Sequence, residues 1–330
     1  MSFNNEILWR IIMKTLRIFL IAILFISATA AGLITQFIIG INTTVLNSGY
    51  YITQMEKHNL YNIPQNYLFL KIKENSYEKL PEPVYNGLLE PAVRNTFSST
   101  WIQDQTNRLV VNSLDYLTNK NETLDLKVDF KNRKQILAYE LSNQLENLSQ
   151  NLQVYKITAA DKESFINGLI TIIGLPDSVD LGEIINTTYP ELKNAVDKYR
   201  VYYSYTNYLP YAVYILIFIL ILLITKVSSG LRLFGKSMLL AGALLILLVS
   251  GTNIWVNNIF IENISKYDIL FTATATNPLI VVAIFKNSVI GNFNKIGVIF
   301  CGSGALLILL SYYINKIIIF RASSRYHKEI

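Results

Sequence analysis

Apolar residues in this chain gather into four long runs that contain no charged residue: 18–40, 208–225, 237–256 and 296–315. An apolar helix of about 20 residues crosses the hydrocarbon core of a bilayer, so each run reads as a transmembrane helix. In the second run, Val213 and the unbroken stretch 215–224 are strongly apolar. Together they favour insertion by about 3–7 kcal/mol on the per-residue insertion scale. Pro210 lies at the start of that run, where a missing backbone hydrogen bond costs least. A fifth stretch, 269–285, is interrupted by Thr272, Thr274, Thr276, Asn277 and Pro278, and its dense part is too short to span. Asn277-Pro278 is a helix-start pair, so 278–290 is expected as a short helix at the membrane surface.

The first run raises a separate question. Arg10, Lys14 and Arg17 precede it, and Ala28-Thr29-Ala30 looks like a signal-peptidase site. The apolar stretch nevertheless continues through residues 31–34 to Gly40, which favours an uncleaved anchor over a removed signal peptide. Ahead of it, residues 1–17 carry Ile7, Trp9, Ile11 and Ile12 beside Arg10 and Lys14, the pattern of an amphipathic segment on a membrane face.

Residues 41–207 change pattern. The part up to about Pro91 is punctuated by Pro64, Pro81, Pro83 and Pro91, predicting short helices. A helix is expected over 95–117, with Phe97, Trp101, Leu109, Leu114 and Leu117 largely on one side, followed by a polar turn at 119–123. Residues 124–130 alternate strictly between apolar and charged, the period of a half-buried strand. Leu137, Leu141, Leu145, Leu148 and Leu152 then recur at helical spacing. Another helix covers 162–173, ended by Gly174 and Pro176. From Pro190 the helical pattern runs on into the second apolar run, which predicts one continuous helix. The fold class is therefore a mainly α membrane protein: four transmembrane helices and a predominantly helical extracytoplasmic domain with a little strand.

Composition and charge turn this pattern into a threading. The chain of 330 residues is 52% hydrophobic and 16% charged, with net charge +6. Residues 1–17 carry +2, residues 226–236 carry +3 and residues 316–330 carry +3, whereas 41–207 carry −3 and 257–295 carry +1. Short segments rich in Lys and Arg stay in the cytoplasm. Both termini and a cytoplasmic loop at 226–236 are thus expected inside a plasma membrane. The 41–207 domain and an outer loop at 257–295 are expected outside. The lipid bilayer accounts for the positive excess, and a nucleic-acid partner is excluded because no basic stripe or recognition motif is present. Tyr199, Tyr202, Tyr203, Tyr205, Tyr208, Tyr211 and Tyr214 crowd the entrance to the second run and read as an interfacial belt, with Trp255 and Trp9 at other span ends.

No catalytic, cofactor-binding or metal-ligating residue is singled out. His58 and His327 fall on opposite sides of the membrane and Cys301 lies within a span, so they cannot share a metal or form a nucleophile pair. No nucleophile elbow, zinc-protease or phosphate-loop pattern occurs. Asp177, Asp180 and Glu183 lack calcium-loop spacing and read as a helix start or solvated loop. No Asp, Glu, Lys or Arg lies inside a run, which argues against an ion-coupled transporter. Thr35, Gln36 and Asn253 are placed near outer span ends, where interfacial water solvates them. Ala28 with Gly32, Ala241 with Ala243, and Gly297, Cys301, Gly302 and Gly304 are small residues suited to helix packing. Sequons occur at Asn42, Asn121, Asn147, Asn186 and Asn263, all on the expected outer side.

Tyr50-Tyr51, Leu60-Tyr61, Trp101-Ile102-Gln103, Leu114-Asp115-Tyr116-Leu117 and the 124–130 stretch leading into 131–134 resemble a family of uncharacterised prokaryotic multi-pass membrane proteins with a large extracytoplasmic domain, over roughly residues 45–150. That resemblance implies no activity. In topology alone the chain is similar to permeases of the FtsX and MacB type, which work with a cytoplasmic ATPase. The expectation is a non-enzymatic protein for sensing, binding or envelope organisation, with a protein partner in the membrane or on its cytoplasmic face. A permease-like subunit is the alternative, and an envelope enzyme using carboxylate chemistry is the second alternative.

Overall fold

The structure is a computed structural model. It describes the backbone of residues 2–152, 159–264 and 278–326, and the side chains of 12–147, 161–252 and 283–318. Four of its helical stretches, Ile12–Thr43, Pro190–Ile224, Val227–Thr252 and Ala283–Ile318, are long and apolar enough to cross a membrane. The chain divides into two compact units. One is a bundle built on the apolar helices. The other is a domain inserted between the first and second of them.

In the bundle, α1 (Ser2–Thr43) is one unbroken helix, so the 1–17 segment is the start of the span helix and not a separate element. α11 (Leu209–Ile224) is followed by α12 (Val227–Ile264) after only Thr225 and Lys226. The expected 226–236 loop is thus helical from Val227 onward, Ser228, Ser229 and Gly230 included. The expected short helix at 278–290 is likewise the first part of α13 (Pro278–Tyr326), which runs through the fourth span. Pro278 fits there as an opening residue, since its missing N–H is one that a helix start leaves unpaired. Asn277 and most of the loop expected at 257–295 lie outside the described residues or within α12 and α13.

Helix-to-helix approach in the bundle rests on glycine. A β-carbon at Gly242 would sit 2.6 Å from the Gly297 carbonyl oxygen and 2.7 Å from Cys301 Sγ. One at Gly304 would sit 2.5 Å from the Gly235 carbonyl oxygen. Gly235 and Gly242 on α12 therefore face Gly304 and Gly297 on α13, backbone against backbone. Gly32 on α1 seats the Tyr214 ring edge and Ala241, and Gly40 seats the ring of Phe293. Ala28, Ala31, Tyr214, Ile217, Ile221 and Phe234 fill the space between α1, α11 and α12. Arg17 Nη2 donates to the Ile224 carbonyl at 2.9 Å, answering the negative end of α11.

Two expectations for the bundle change. Thr35 and Gln36 are buried, not solvated at a span end. Thr35 Oγ1 donates to Ala31 O at 2.8 Å and Gln36 Nε2 to Gly32 O at 3.2 Å, so each returns to the preceding turn of its own helix. The Asn253 side chain lies outside the described residues. Tyr214 is also no belt residue, because its ring packs into the bundle against Phe234 at 4.9 Å. Tyr202, Tyr205 and Tyr208 are exposed as expected of a belt.

The inserted domain begins with α2 (Ser48–Lys57), α3 (Asn62–Ser76) and α4 (Glu82–Val84). A π turn, Tyr85–Leu89, joins α4 to α5 (Glu90–Thr96). Pro91 explains the widened turn. It cannot donate an N–H and its ring crowds the carbonyl four residues back, and the wider register relieves both. α6 (Ser99–Leu117) follows α5 after two intervening residues, Phe97 and Ser98, so the expected helix over 95–117 breaks at Phe97. Ser98 caps it by accepting from Trp101 N–H, and Phe97 turns fully inward.

The expected strand at 124–130 shortens to β1 (Lys127–Asp129), which pairs antiparallel with β2 (Ser178–Asp180), Val128 opposite Val179. α7 (Lys131–Leu152) and α8 (Ala159–Ile173) follow the predicted leucine and helix patterns. Leu137, Leu141, Leu169 and Ile173 are fully or nearly fully buried around Phe97 and Leu89. Burial of each such side chain contributes about 1.5–3 kcal/mol. Gly174 ends α8 at φ +66°, a conformation that suits glycine. α9 (Leu181–Thr188) and α10 (Pro190–Thr206) complete the domain. α10 does not run on into the second span. It stops at Thr206, and α11 begins at Leu209 with Pro210 in its first turn, because proline cannot supply the hydrogen bond that would carry α10 through.

The glycine contacts generate a paired prediction. Gly242→Leu should lower thermal stability in detergent by about 1–3 kcal/mol through overpacking. Gly302, whose β-carbon would meet nothing within 4 Å, should tolerate Ala or gain about 0.5–1 kcal/mol. Thermal unfolding of both variants measures the difference, and equal effects would refute the glycine contact.

Candidate functional site

The inserted domain holds a groove of about 330 Å³ where the end of α6, the 118–126 connection, α9 and α10 meet. Its floor is Leu117, Leu124, Leu126, Ile185 and Val196. Glu122 and Lys193 stand at its edge. Each wall has a local cause. Asp180 caps α9 by accepting from Gly182 N–H at 2.8 Å and Glu183 N–H at 3.1 Å. Leu181 N–H donates to Leu126 O at 3.2 Å, continuing the strand ladder and fixing α9 beside the 118–126 connection.

One wall is a polar network around Tyr116. The Tyr116 hydroxyl donates to Asp197 Oδ1 at 2.6 Å. The Arg200 guanidinium stacks on the Tyr116 ring at 3.7 Å and donates through Nη2 to Asn121 O at 2.8 Å. Asn119, held at φ +58°, donates its side-chain amide to the Arg200 carbonyl. Asp197 as acceptor, and then burial, raise the Tyr116 hydroxyl above the ordinary tyrosine range, with Arg200 opposing. The network locks α10 to the end of α6 and so sets the width of the groove. It offers an apolar body-binding surface with hydrogen-bonding groups at the side. No nucleophile paired with a base lies in it.

The acidic group expected after Pro176 does not converge. Asp177 pairs with Lys134 at 2.6 Å, which holds its carboxyl below the usual range, while Asp180 is committed to its cap. Among the described residues, no group of three His, Cys, Asp or Glu could hold a metal ion. Cys301 Sγ donates to Leu239 O at 3.5 Å inside the bundle. His58 closes α2, and His327 lies outside the described residues. Of the sequons, Asn121, Asn147 and Asn186 are exposed, and Asn186 lines the groove. Asn42 is half-buried and donates to Asn207 at 2.5 Å. The Asn263 side chain lies outside the described residues.

Sequence reading missed Tyr116, Asp197 and Arg200 as a set. Tyr116 stood among apolar helix positions, and Arg200 stood in a tyrosine-rich stretch. Their 80-residue separation hides the contact, and the Tyr-Arg and Tyr-Asp pairings carry no spacing rule.

Tyr116→Phe should cost about 1.5–3 kcal/mol, because a hydrogen bond to a charged acceptor is lost. The difference from wild type should be full below pH 10, the ordinary tyrosine value, and shrink as pH rises through the raised value of Tyr116. Thermal unfolding between neutral and alkaline pH measures it, and a gap that widens with pH would refute the network.

No protein-family model, no curated protein and no solved structure matches the chain.

Proposed function

We propose that the chain is a membrane-anchored, non-enzymatic binding protein. Its inserted domain faces the extracytoplasmic side and receives a small amphipathic ligand in the groove beside Tyr116. The observation that carries this reading is the groove itself: a largely apolar lining, a polar wall braced by Tyr116, Asp197 and Arg200, and two exposed charged residues, Glu122 and Lys193. Sites of this composition are the usual form of small-molecule pockets. The side assignment is supported by the charge asymmetry, with basic excess in 1–17, 226–236 and 316–330 and a net −3 in 41–207.

On this reading a bound-state signal would pass to a partner protein on the basic side. The two-residue connection between α11 and α12 works against a permease-like coupling element at that point. The carboxylate-enzyme reading draws no support from Asp177, whose carboxyl is shifted down and not up.

Val196→Arg places a charge in the groove floor. Full-length protein should bind an environment-sensitive apolar dye saturably, and the variant should lose that binding at least about tenfold, the equivalent of 1.4 kcal/mol, with its melting temperature retained. Undiminished dye binding would overturn the assignment. For threading, Cys301→Ser with a single Cys introduced at Lys120 should react with a membrane-impermeant maleimide on intact cells. Labelling only after lysis would reverse the topology.

A further inference from the structure

The end of the bundle where α1 approaches the last turn of α11 carries a second concave surface, a groove of about 510 Å³ lined by Met13, Lys14, Leu16, Arg17, Leu20 and Ile224. Its walls are apolar and exposed, with Met13, Leu16 and Leu20 each 42–57% accessible. Its only charges are two cations. Arg17 spends one N–H on the Ile224 carbonyl and keeps its remaining donors. Lys14 has no ion pair among the described residues.

The surroundings offer these cations no counter-charge. Among the described side chains of the bundle, spanning 12–46, 203–252 and 284–318, there is no Asp or Glu. Glu6 lies eight residues before Lys14 on the same helix, about 12 Å away along the axis at 1.5 Å per residue. Among the described side chains of the bundle, nothing supplies the negative charge that would balance Lys14 and Arg17. A ligand that satisfies this surface needs an anionic, hydrogen-bond-accepting head and an apolar body. Basic pockets beside spanning helices on the cytoplasmic face have that relation to anionic lipid headgroups. We infer that this groove binds an anionic phospholipid, its phosphate between Lys14 and Arg17 and its acyl chains along Met13, Leu16, Leu20 and Ile224.

This inference rests on the membrane reading proposed above, and its test separates the two. Full-length protein, delipidated in mild detergent, is mixed with phosphatidylglycerol or phosphatidylcholine of identical chains and read by native mass spectrometry. Phosphatidylglycerol should be retained in excess, and Lys14→Gln should cut that retention about fivefold, the effect of one lost cation near an anionic surface. Arg17→Gln should act in the same direction, while Lys14→Gln, which removes no internal hydrogen bond, keeps the test independent of folding. Lys316→Gln, a substitution in the basic stretch near the end of α13, should leave retention unchanged. Equal retention of the two lipids would overturn the site. So would a Lys316→Gln effect as large as that of Lys14→Gln, which would mean diffuse attraction. Complete displacement by millimolar inorganic phosphate would replace the lipid by a free anion and also overturn it. A chain that stays dissolved without detergent would instead refute the membrane reading itself.

Discussion

The bundle depends on the backbone contact between α12 and α13. Gly235 and Gly242 on one helix meet Gly304 and Gly297 on the other, and any side chain at Gly242 or Gly304 would collide with a facing carbonyl oxygen. The spacing is seven residues on both helices. Seven residues are two turns of a slightly underwound helix, so the same faces meet again after each interval. Between apolar helices in lipid there is little hydrophobic drive to associate, and close packing has to supply the attraction. The rest of the bundle follows from that contact. Once α12 is fixed, Ala241 and Phe234 define the surface on which Tyr214 lies, and Gly32 gives α1 its place beside the same ring.

The inserted domain is held by a different kind of contact. Phe97, Trp101 and Phe130 form an aromatic triad with ring centres 5.5–6.3 Å apart, Phe97 meeting the other two edge-on. Arg133 lies over the Trp101 ring at 5.1 Å and donates to Thr96 O at 3.1 Å, at the end of α5. That one side chain links the break between α5 and α6 to the start of α7. The break matters for the groove. Because α6 starts afresh at its Ser98 cap, its far end can place Tyr116 where α10 reaches it. A straight helix over 95–117 would have no such freedom at Phe97.

The charge-free apolar runs coincide with the four helices long and apolar enough to cross a membrane, and helical periodicity located α7 and α8 because burial repeats along them. Leu137 and Leu141 are an example: the spacing of four predicted a face, and both side chains are fully buried. It failed where one residue decides a local geometry. Ser98 stands among the polar residues Thr96, Ser99 and Thr100, and its cap alone divides the expected helix. Pro210 was read as a tolerated opening residue, and the same reading, taken further, would have predicted the end of α10 at Thr206. The loop at 226–236 was expected from its charges, but Lys and Arg are good helix formers and only Thr225 and Lys226 leave the helix. Gly235 and Gly242 could have been found by asking for a seven-residue repeat matching Gly297 and Gly304. The groove had no such signal, since its walls come from α6, α9 and α10 and are joined by single pairs.

The polar content of the bundle narrows what the bundle is built to do. Thr29, Thr35, Thr44, Ser237 and Ser311 are buried, and each hydroxyl returns to a carbonyl of its own helix, three or four residues back. Such hydroxyls are satisfied locally and need no ligand. Gln36 Oε1 and the Tyr214 hydroxyl are buried without a partner, both beside Gly32, and each costs about 1–3 kcal/mol in that state. None of these groups carries charge, and the four apolar runs contain no ionisable Asp, Glu, Lys or Arg. Proton relays and ion-coupled transporters usually place ionisable groups inside their spans. A bundle of self-satisfied hydroxyls and glycine contacts is better suited to holding its helices in one arrangement. In the inserted domain, by contrast, Tyr116, Asp197 and Arg200 commit charge and hydrogen bonds to the shape of one groove.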